Sequence, residues 1–222
     1  MKIKTAAKIN LALDVTGKIE NGYHTIESVF QTVGMYDEVT VELIEPNAGI
    51  TVVCEVAKEL AQSDTIPCGE RNIAYKAAKM FLDENHMTNG CNIYIRKGIP
   101  SQAGMGGGSS DAAAVIYCLS KMTGKTLAEP VKIGADVPYF MIGGTAYVEG
   151  IGEKISTISD YSGRIIVIAK GVEGVSTAEA YAKIDSLENP NHPQVGKLVE
   201  SINLNPENAC NYFGNLFEQA IQ

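Results

Sequence analysis

The sequence predicts an α+β protein, and three observations carry that reading. Strand-like and helix-like segments alternate through the first half of the chain. A glycine-rich loop joins one such strand directly to one such helix. A short run rich in β-branched residues, Arg164-Ile165-Ile166-Val167-Ile168-Ala169, has the composition of a buried strand opening a second unit.

In chain order, residues 8–15 and 39–43 read as strands. Residues 71–85 read as a helix, because Ile73, Ala77, Met80, Phe81 and Glu84 recur at helical spacing. Residues 91–97 alternate apolar and polar, as a half-buried strand does. Beyond the glycine loop, Ala112, Val115, Ile116 and Leu119 mark one face of an amphipathic helix. Residues 145–149 and 153–155 predict a hairpin around Gly150-Ile151-Gly152. Ala178, Tyr181 and Ala182 again have helical spacing. Residues 206–221 predict a last helix, with Asn205 as its cap and Pro206 at its first position. A domain boundary is expected at 156–163, dividing the chain into 1–158 and 159–222, and no internal repeat, low-complexity tract or long linker interrupts either part.

The chain of 222 residues, 45% hydrophobic and 20% charged, has room for one large domain or two small ones of ordinary globular composition. A net charge of −8 argues against nucleic acid and against an anionic membrane surface as partners. No apolar run approaches the roughly 18 residues of a membrane span. Met1-Lys2-Ile3-Lys4-Thr5 does not open a secretory signal. Cys54, Cys68, Cys91, Cys118 and Cys210 are odd in number and contain no C-x-x-C pair, so they read as reduced thiols of a cytoplasmic protein, with Cys91 and Cys118 in the core. His24, His86 and His192 are too scattered for a clustered metal site.

The loop itself is Pro100-Ser101-Gln102-Ala103-Gly104-Met105-Gly106-Gly107-Gly108-Ser109-Ser110-Asp111. Strand, glycines and helix start make an anion site: backbone amides point outward, the helix dipole favours negative charge, and missing side chains let a phosphate approach. Ser109 or Ser110 can cap the helix, and Asp111 suits its positive first turn. A Walker A loop would need a lysine after Gly108, and a dinucleotide fingerprint would need a glycine where Ser109 stands. A protein-kinase glycine loop joins two strands, whereas this one opens a helix. The plain alternative is a flexible turn that binds nothing.

Pro100 through Ala113 resembles the central motif of the GHMP kinases. Further stretches narrow the resemblance to members acting on 4-diphosphocytidyl-2-C-methyl-D-erythritol: Ala6-Ala7-Lys8-Ile9-Asn10-Leu11, Asn21-Gly22-Tyr23-His24, Phe30-Gln31-Thr32, Gly134-Ala135-Asp136-Val137-Pro138-Tyr139-Phe140 and Glu149-Gly150-Ile151-Gly152-Glu153. The resemblance implies a two-lobe fold. Its first lobe is like the second domain of ribosomal protein S5, and its second is ferredoxin-like. It implies ATP and Mg²⁺ as cofactors, a cytidyl diphosphate sugar alcohol as substrate, and a monomer or weak homodimer. Relatives carry a third glycine-rich motif that this chain lacks before Gln222, so the second lobe is expected to be incomplete. They also carry a helix before Gly134-Ala135-Asp136. Here only 125–133 intervene, which predicts a loop absent at Pro130-Val131, and an unbroken peptide there would refute that.

Residue by residue, the carry-over falls on positions that also have ordinary readings. Lys8 alone would be a solvated strand lysine; the resemblance makes it the catalytic lysine beside the acceptor hydroxyl. Asp136 is one of 26 acidic residues in a small, apolar turn. It is either a turn-forming Asp before a proline unit or the base that takes the hydroxyl proton. Tyr23 and His24 follow a turn signal and could hold a flat base; with Tyr181, Thr177 and Asn10 they are the expected substrate contacts. Asn72 is expected at the adenine and Lys97, otherwise a routine solvated lysine, near the phosphates. The backbone of Gly104, Gly106, Gly107, Gly108, Ser109 and Ser110 completes the nucleotide site after Pro100. Ser109 is the candidate side-chain contact for Mg²⁺. Competing readings are a homoserine- or mevalonate-type kinase, which has no base to stack, and a non-catalytic nucleotide-binding module.

Overall fold

The computed structural model describes residues 1–20, 22–57, 60, 66–169 and 177–220, the side chains of 177 and 178 excepted. Two compact units form, each discontinuous in sequence: Met1–Ala7 with Gly34–Ile142, and Lys8–Val33 with Gly143–Gln222. Strands β1 (Lys2–Lys18) and β2 (His24–Pro46) each lend a segment to both. The division expected at 156–163 lies inside the second unit.

In the first unit the end of β2 runs antiparallel to β4 (Asn89–Lys97), with Val39 opposite Ile95 and Val41 opposite Ile93. Strand β3 (Ile50–Val56) lies parallel to β4 on its other side. Alternation turns Val39, Val41, Cys91, Ile93 and Ile95 onto one face, where they are buried against α1 (Ile73–Glu84) and α2 (Gly107–Thr123). Phe81, Val115, Ile116 and Leu119 fill that interface. Helix α2 stops at Gly124, whose left-handed φ of 71° lets its N–H return to the Ser120 carbonyl at 2.9 Å. A short helix, α3 (Val137–Ile142), closes the unit.

Across Pro130-Val131, where a loop was expected to be absent, the structure describes continuous backbone. A 3₁₀ turn, Pro130–Lys132, spans the two residues, with Lys132 N–H on the Glu129 carbonyl at 3.1 Å and Ile133 N–H on Pro130 at 3.0 Å. Proline suits the first position of such a turn, so the residue that disfavours a helix interior serves here as a starter.

In the second unit β5 (Thr145–Gly150) pairs antiparallel with the start of β2, and β6 (Lys154–Thr157) folds back on β5 as the expected hairpin. Helices α4 (Thr177–Asp185), α5 (Val195–Leu204) and α6 (Phe217–Ala220) complete it. Two cores form, one around Leu11, Val29, Leu198 and Ile202, the other around Leu13, Ile26, Ile184 and Leu216.

Two expectations are corrected here. The run 164–169 is neither strand nor buried: Ile165 is 98% and Val167 90% exposed. Among the described residues no strand pairs with it, and β-branched composition cannot satisfy backbone groups without a partner. The helix expected over 206–221 is broken. A 3₁₀ turn, Pro206–Tyr212, gives way to β7 (Gly214–Asn215), which pairs in parallel with Ala12 and Leu13. That pairing seats Leu216 at 1% exposure, and burial of a leucine outweighs a few residues of helix propensity.

Candidate active site

The glycine loop is built where β4 meets α2. At Gly98 the chain passes so close to β2 that a Cβ would stand 2.3 Å from the Tyr36 carbonyl oxygen. Gly104 and Gly106 then take left-handed backbone, φ 67° and 72°, which side chains would strain. Helix α2 starts at Gly107, with Gly106 in the cap position. The expectation that Ser109 or Ser110 caps it is therefore corrected: the turn in handedness falls at Gly106, and both serines lie in the first helical turn.

Ser110 is also withdrawn as a phosphate contact. Its N–H donates to the Gly106 carbonyl at 2.8 Å, its buried hydroxyl donates to Gly107 O at 3.1 Å, and its carbonyl accepts the Thr5 hydroxyl at 3.1 Å. The amides of Gly107, Gly108 and Ser109 precede the first helical bond, so the helix leaves them for an anion.

Lys97 is not a solvated lysine. It is 4% exposed, forms an ion pair with Asp37, and forms another with Asp111 at 2.7 Å. Burial alone would lower the Lys97 pKa; the carboxylates of Asp111 and Asp37 outweigh that and leave it raised. Burial likewise pushes the Asp111 carboxyl up, against the pull of Lys97. Asn72 also has a different part from the one expected. Its Oδ1 accepts the Ala74 N–H at 2.8 Å and caps α1, while its Nδ2 donates to the Pro67 carbonyl at 2.8 Å and to Cys54 Sγ at 3.4 Å. Its side chain is spent on the fold rather than on an adenine edge.

Asp136 stands half-buried immediately before α3, whose Phe140 N–H reaches its carbonyl at 3.3 Å. Its turn packs against the loop. A Cβ on Gly134 would lie 3.1 Å from Ile73 Cδ1 and 3.6 Å from Ser109 Oγ, and one on Gly108 3.2 Å from Ile73 Cγ2. Ile73 thus bridges the phosphate loop and the aspartate turn, and glycine at each contact keeps them close. Pro100, half-buried, begins the loop.

In the second unit Lys8 is 5% exposed, donates to Asn10 Oδ1 at 2.9 Å, and sits 4.3 Å from the Phe30 ring centroid. A buried ammonium held this way is a placed charge, not a solvated one. His24 stacks on Tyr181, centroids 4.5 Å apart and planes at 16°, and Tyr181 meets the Phe217 ring edge-on at 5.0 Å. Asp185 holds His24 Nε2 and Lys18 Nζ, each at 2.6 Å; Lys18 first, then His24, holds its carboxyl below the usual range. Tyr23 is 61% exposed. The Asn21 position and the side chain of Thr177 lie outside the described residues. A cavity of about 550 Å³ opens beside Asn10, lined also by Ile9, Tyr161, Arg164 and Phe213.

Sequence reasoning missed Asp37 and Asp185 and gave Asp111 a different part. Asp37 sends no local signal, since 60 positions separate it from Lys97. Asp185 was within reach: it lies one helical turn beyond Tyr181 on the same face.

Residues 72–144 match the family model described as GHMP kinases N terminal domain. The chain is 43% identical over 211 residues to a 4-diphosphocytidyl-2-C-methyl-D-erythritol kinase of Clostridium tetani, covering 92% of this chain and 72% of that one. The Clostridium acetobutylicum protein of the same name is 39% identical over 209 residues, covering 91% and 71%. A crystal structure of 4-(cytidine 5'-diphospho)-2C-methyl-D-erythritol kinase superposes with TM-score 0.74 at 26% identity, covering 99% of this chain and 76% of that one. A homoserine kinase from Cytophaga hutchinsonii shares the fold alone, with TM-score 0.59 at 16% identity, covering 100% and 71%.

Proposed function

Since the chain belongs to the 4-diphosphocytidyl-2-C-methyl-D-erythritol kinases of the GHMP superfamily, we propose that it phosphorylates the 2-hydroxyl of that cytidyl diphosphate alcohol, with ATP as donor. The step belongs to the non-mevalonate route to isoprenoid precursors and runs in the cytoplasm. One observation carries the donor half of this reading: the amides of Gly107, Gly108 and Ser109 stand at the start of a 17-residue helix, behind the left-handed Gly104 and Gly106.

Bound ATP supplies the phosphoryl group. Gly104, Gly106, Gly107, Gly108 and Ser109 hold its phosphates, with Pro100 setting the loop. Among the described residues no group of three or more His, Cys, Asp or Glu could hold a metal. Mg²⁺ is assigned to the nucleotide's own phosphates, because a bare triphosphate transfers poorly, with Ser109 as its side-chain contact. Asp136 receives the proton of the attacking hydroxyl, and Lys8 offsets the charge that develops there. Asn10 keeps Lys8 directed. His24 and Tyr181, already stacked, hold the cytosine with Tyr23 and Thr177. A monomer or weak homodimer completes the proposal.

The test is coupled ADP release with the cytidyl diphosphate alcohol, homoserine and mevalonate as acceptors. Turnover on the first alone is expected. Asp136→Asn should then lose about 10²–10⁴-fold in kcat while still binding ATP. Full turnover in Asp136→Asn would sink the base assignment, and turnover on homoserine instead would sink the substrate.

A further inference from the structure

Asp37, Lys97 and Asp111 form a buried charged cluster that nucleotide contact does not explain. We propose that Asp37 and Lys97 are positioning residues of the phosphate loop, and that Lys97 acts through the loop without touching the nucleotide. The inference rests on the kinase reading above.

Asp37 is 0% exposed. Its Oδ1 accepts the amides of Gly98 at 2.6 Å and Ile99 at 2.8 Å, and its Oδ2 accepts from Lys97 Nζ. One carboxylate on β2 therefore fixes three consecutive residues, 97 to 99, at the point where the chain leaves β4 for the loop. The same ammonium donates to Asp111 Oδ2 at 2.7 Å, on the second turn of α2. The loop is thus tied at both ends through one nitrogen.

The fit is tight where it bears on the phosphate site. A Cβ on Gly107, the first residue of α2, would lie 3.2 Å from Lys97 Nζ and 3.1 Å from Ile99 Cγ2. The ammonium is therefore packed beneath the helix start, and its N–H groups are already taken by Asp37 Oδ2 and Asp111 Oδ2. A phosphate contact would require it to leave them. The cluster also carries a cost: Asp111 Oδ1 is buried with no hydrogen-bond partner among the described residues. Two acidic side chains share one cation in a nearly dry site, an arrangement that specifies geometry better than it stabilises.

The test uses the full chain with Asp37→Asn, Lys97→Arg and the pair together. Asparagine turns an amide N–H toward the ammonium; arginine keeps the charge but not the fit beneath Gly107. Each single variant should raise the ATP dissociation constant, read by calorimetric titration, and the KM for ATP by about tenfold. In both, kcat at saturating ATP and the acceptor KM should stay within about twofold of wild type, and the double variant should be no worse than the worse single. A purely structural role would lower the melting temperature and leave the ATP affinity of the folded protein unchanged, which would overturn the proposal. So would wild-type ATP affinity in Lys97→Arg, the mark of a charge that simply meets phosphate. Either variant that folds decides the matter. Wild-type protein that binds ATP but turns over no acceptor would sink the kinase reading instead, while the binding isotherms still judge the positioning.

Discussion

Gly98→Ala puts the largest local strain into the fewest atoms. Its Cβ would stand 2.3 Å from the Tyr36 carbonyl oxygen, against an ordinary contact beginning at 3.4 Å. The obstacle is backbone in a paired strand, so it cannot swing aside, and the chain at Gly98 must retreat by about 1 Å. That retreat draws the Gly98 and Ile99 amides off Asp37, where they now sit at 2.6 and 2.8 Å. Bonds to a charged acceptor contribute about 1.5–3 kcal/mol each, and overpacking costs about 1–3 kcal/mol. Relaxation returns part of this, leaving a loss of about 2–4 kcal/mol, or about 5–15 °C in melting temperature for a chain of this size. The loop moves with Ile99, and a displacement of about 1 Å lowers kcat/KM for ATP by up to about 10²-fold. Circular-dichroism melting and ADP release at varied ATP measure both. Gly124→Ala is the control: it has open space and a φ of 71°. It should lose only about 1–2 kcal/mol from left-handed strain and nothing in ATP use. Gly98→Ala melting within about 2 °C of wild type, with unchanged KM for ATP, would refute the reasoning.

Tyr181→Ala removes the ring stacked 4.5 Å from His24; at about 0.5–1.5 kcal/mol for such a pair, the acceptor KM should rise about 2–10-fold with the KM for ATP unmoved, in steady-state kinetics varying each substrate. Burial pushes the Asp111 carboxyl up to about 8, above the roughly 3.9 of an unfolded aspartate. The folded state then holds this proton more tightly, so its share of stability is greatest below about pH 4 and is lost as the pH rises toward about 8. Asp111→Asn lacks that loss, so the melting temperature of the variant relative to wild type should climb across this window; a constant difference would contradict it. Burial pushes the Cys54 and Cys91 thiols to about 11 and raises that of Cys118, while Cys68 and Cys210 are exposed. Iodoacetamide at pH 8 on native protein should mark Cys68 and Cys210 first, by peptide mass, and Cys91 reacting as fast as Cys68 would count against the described core.

What the sequence determined by itself is what near neighbours decide. The strand–glycine loop–helix order of β4 and α2, the buried face of α2, and the β5–β6 hairpin each follow from periodicity and glycines within about twenty residues and form as read, whereas the α1 face is shifted, burying Ala74, Ala78 and Leu82 and leaving Glu84 exposed. The stretches around Lys8, Asp136 and His24 were singled out by the family resemblance they carry; by residue type alone each had an ordinary reading. Only tertiary structure decided the rest, since each case turns on a partner distant in the chain. Asp37 finds Lys97 across 60 positions, Thr5 finds the Ser110 carbonyl across 105, and Asp185 finds His24 across 161. Residues 206–221 have helical composition, yet Gly214 and Asn215 leave the helix to pair with Ala12 and Leu13. Residues 164–169 have strand composition, yet lie exposed without a pairing strand among the described residues. Propensity ranks what a segment can become; backbone groups that must be satisfied and apolar area that can be buried choose among the options, and both depend on what the rest of the fold brings alongside.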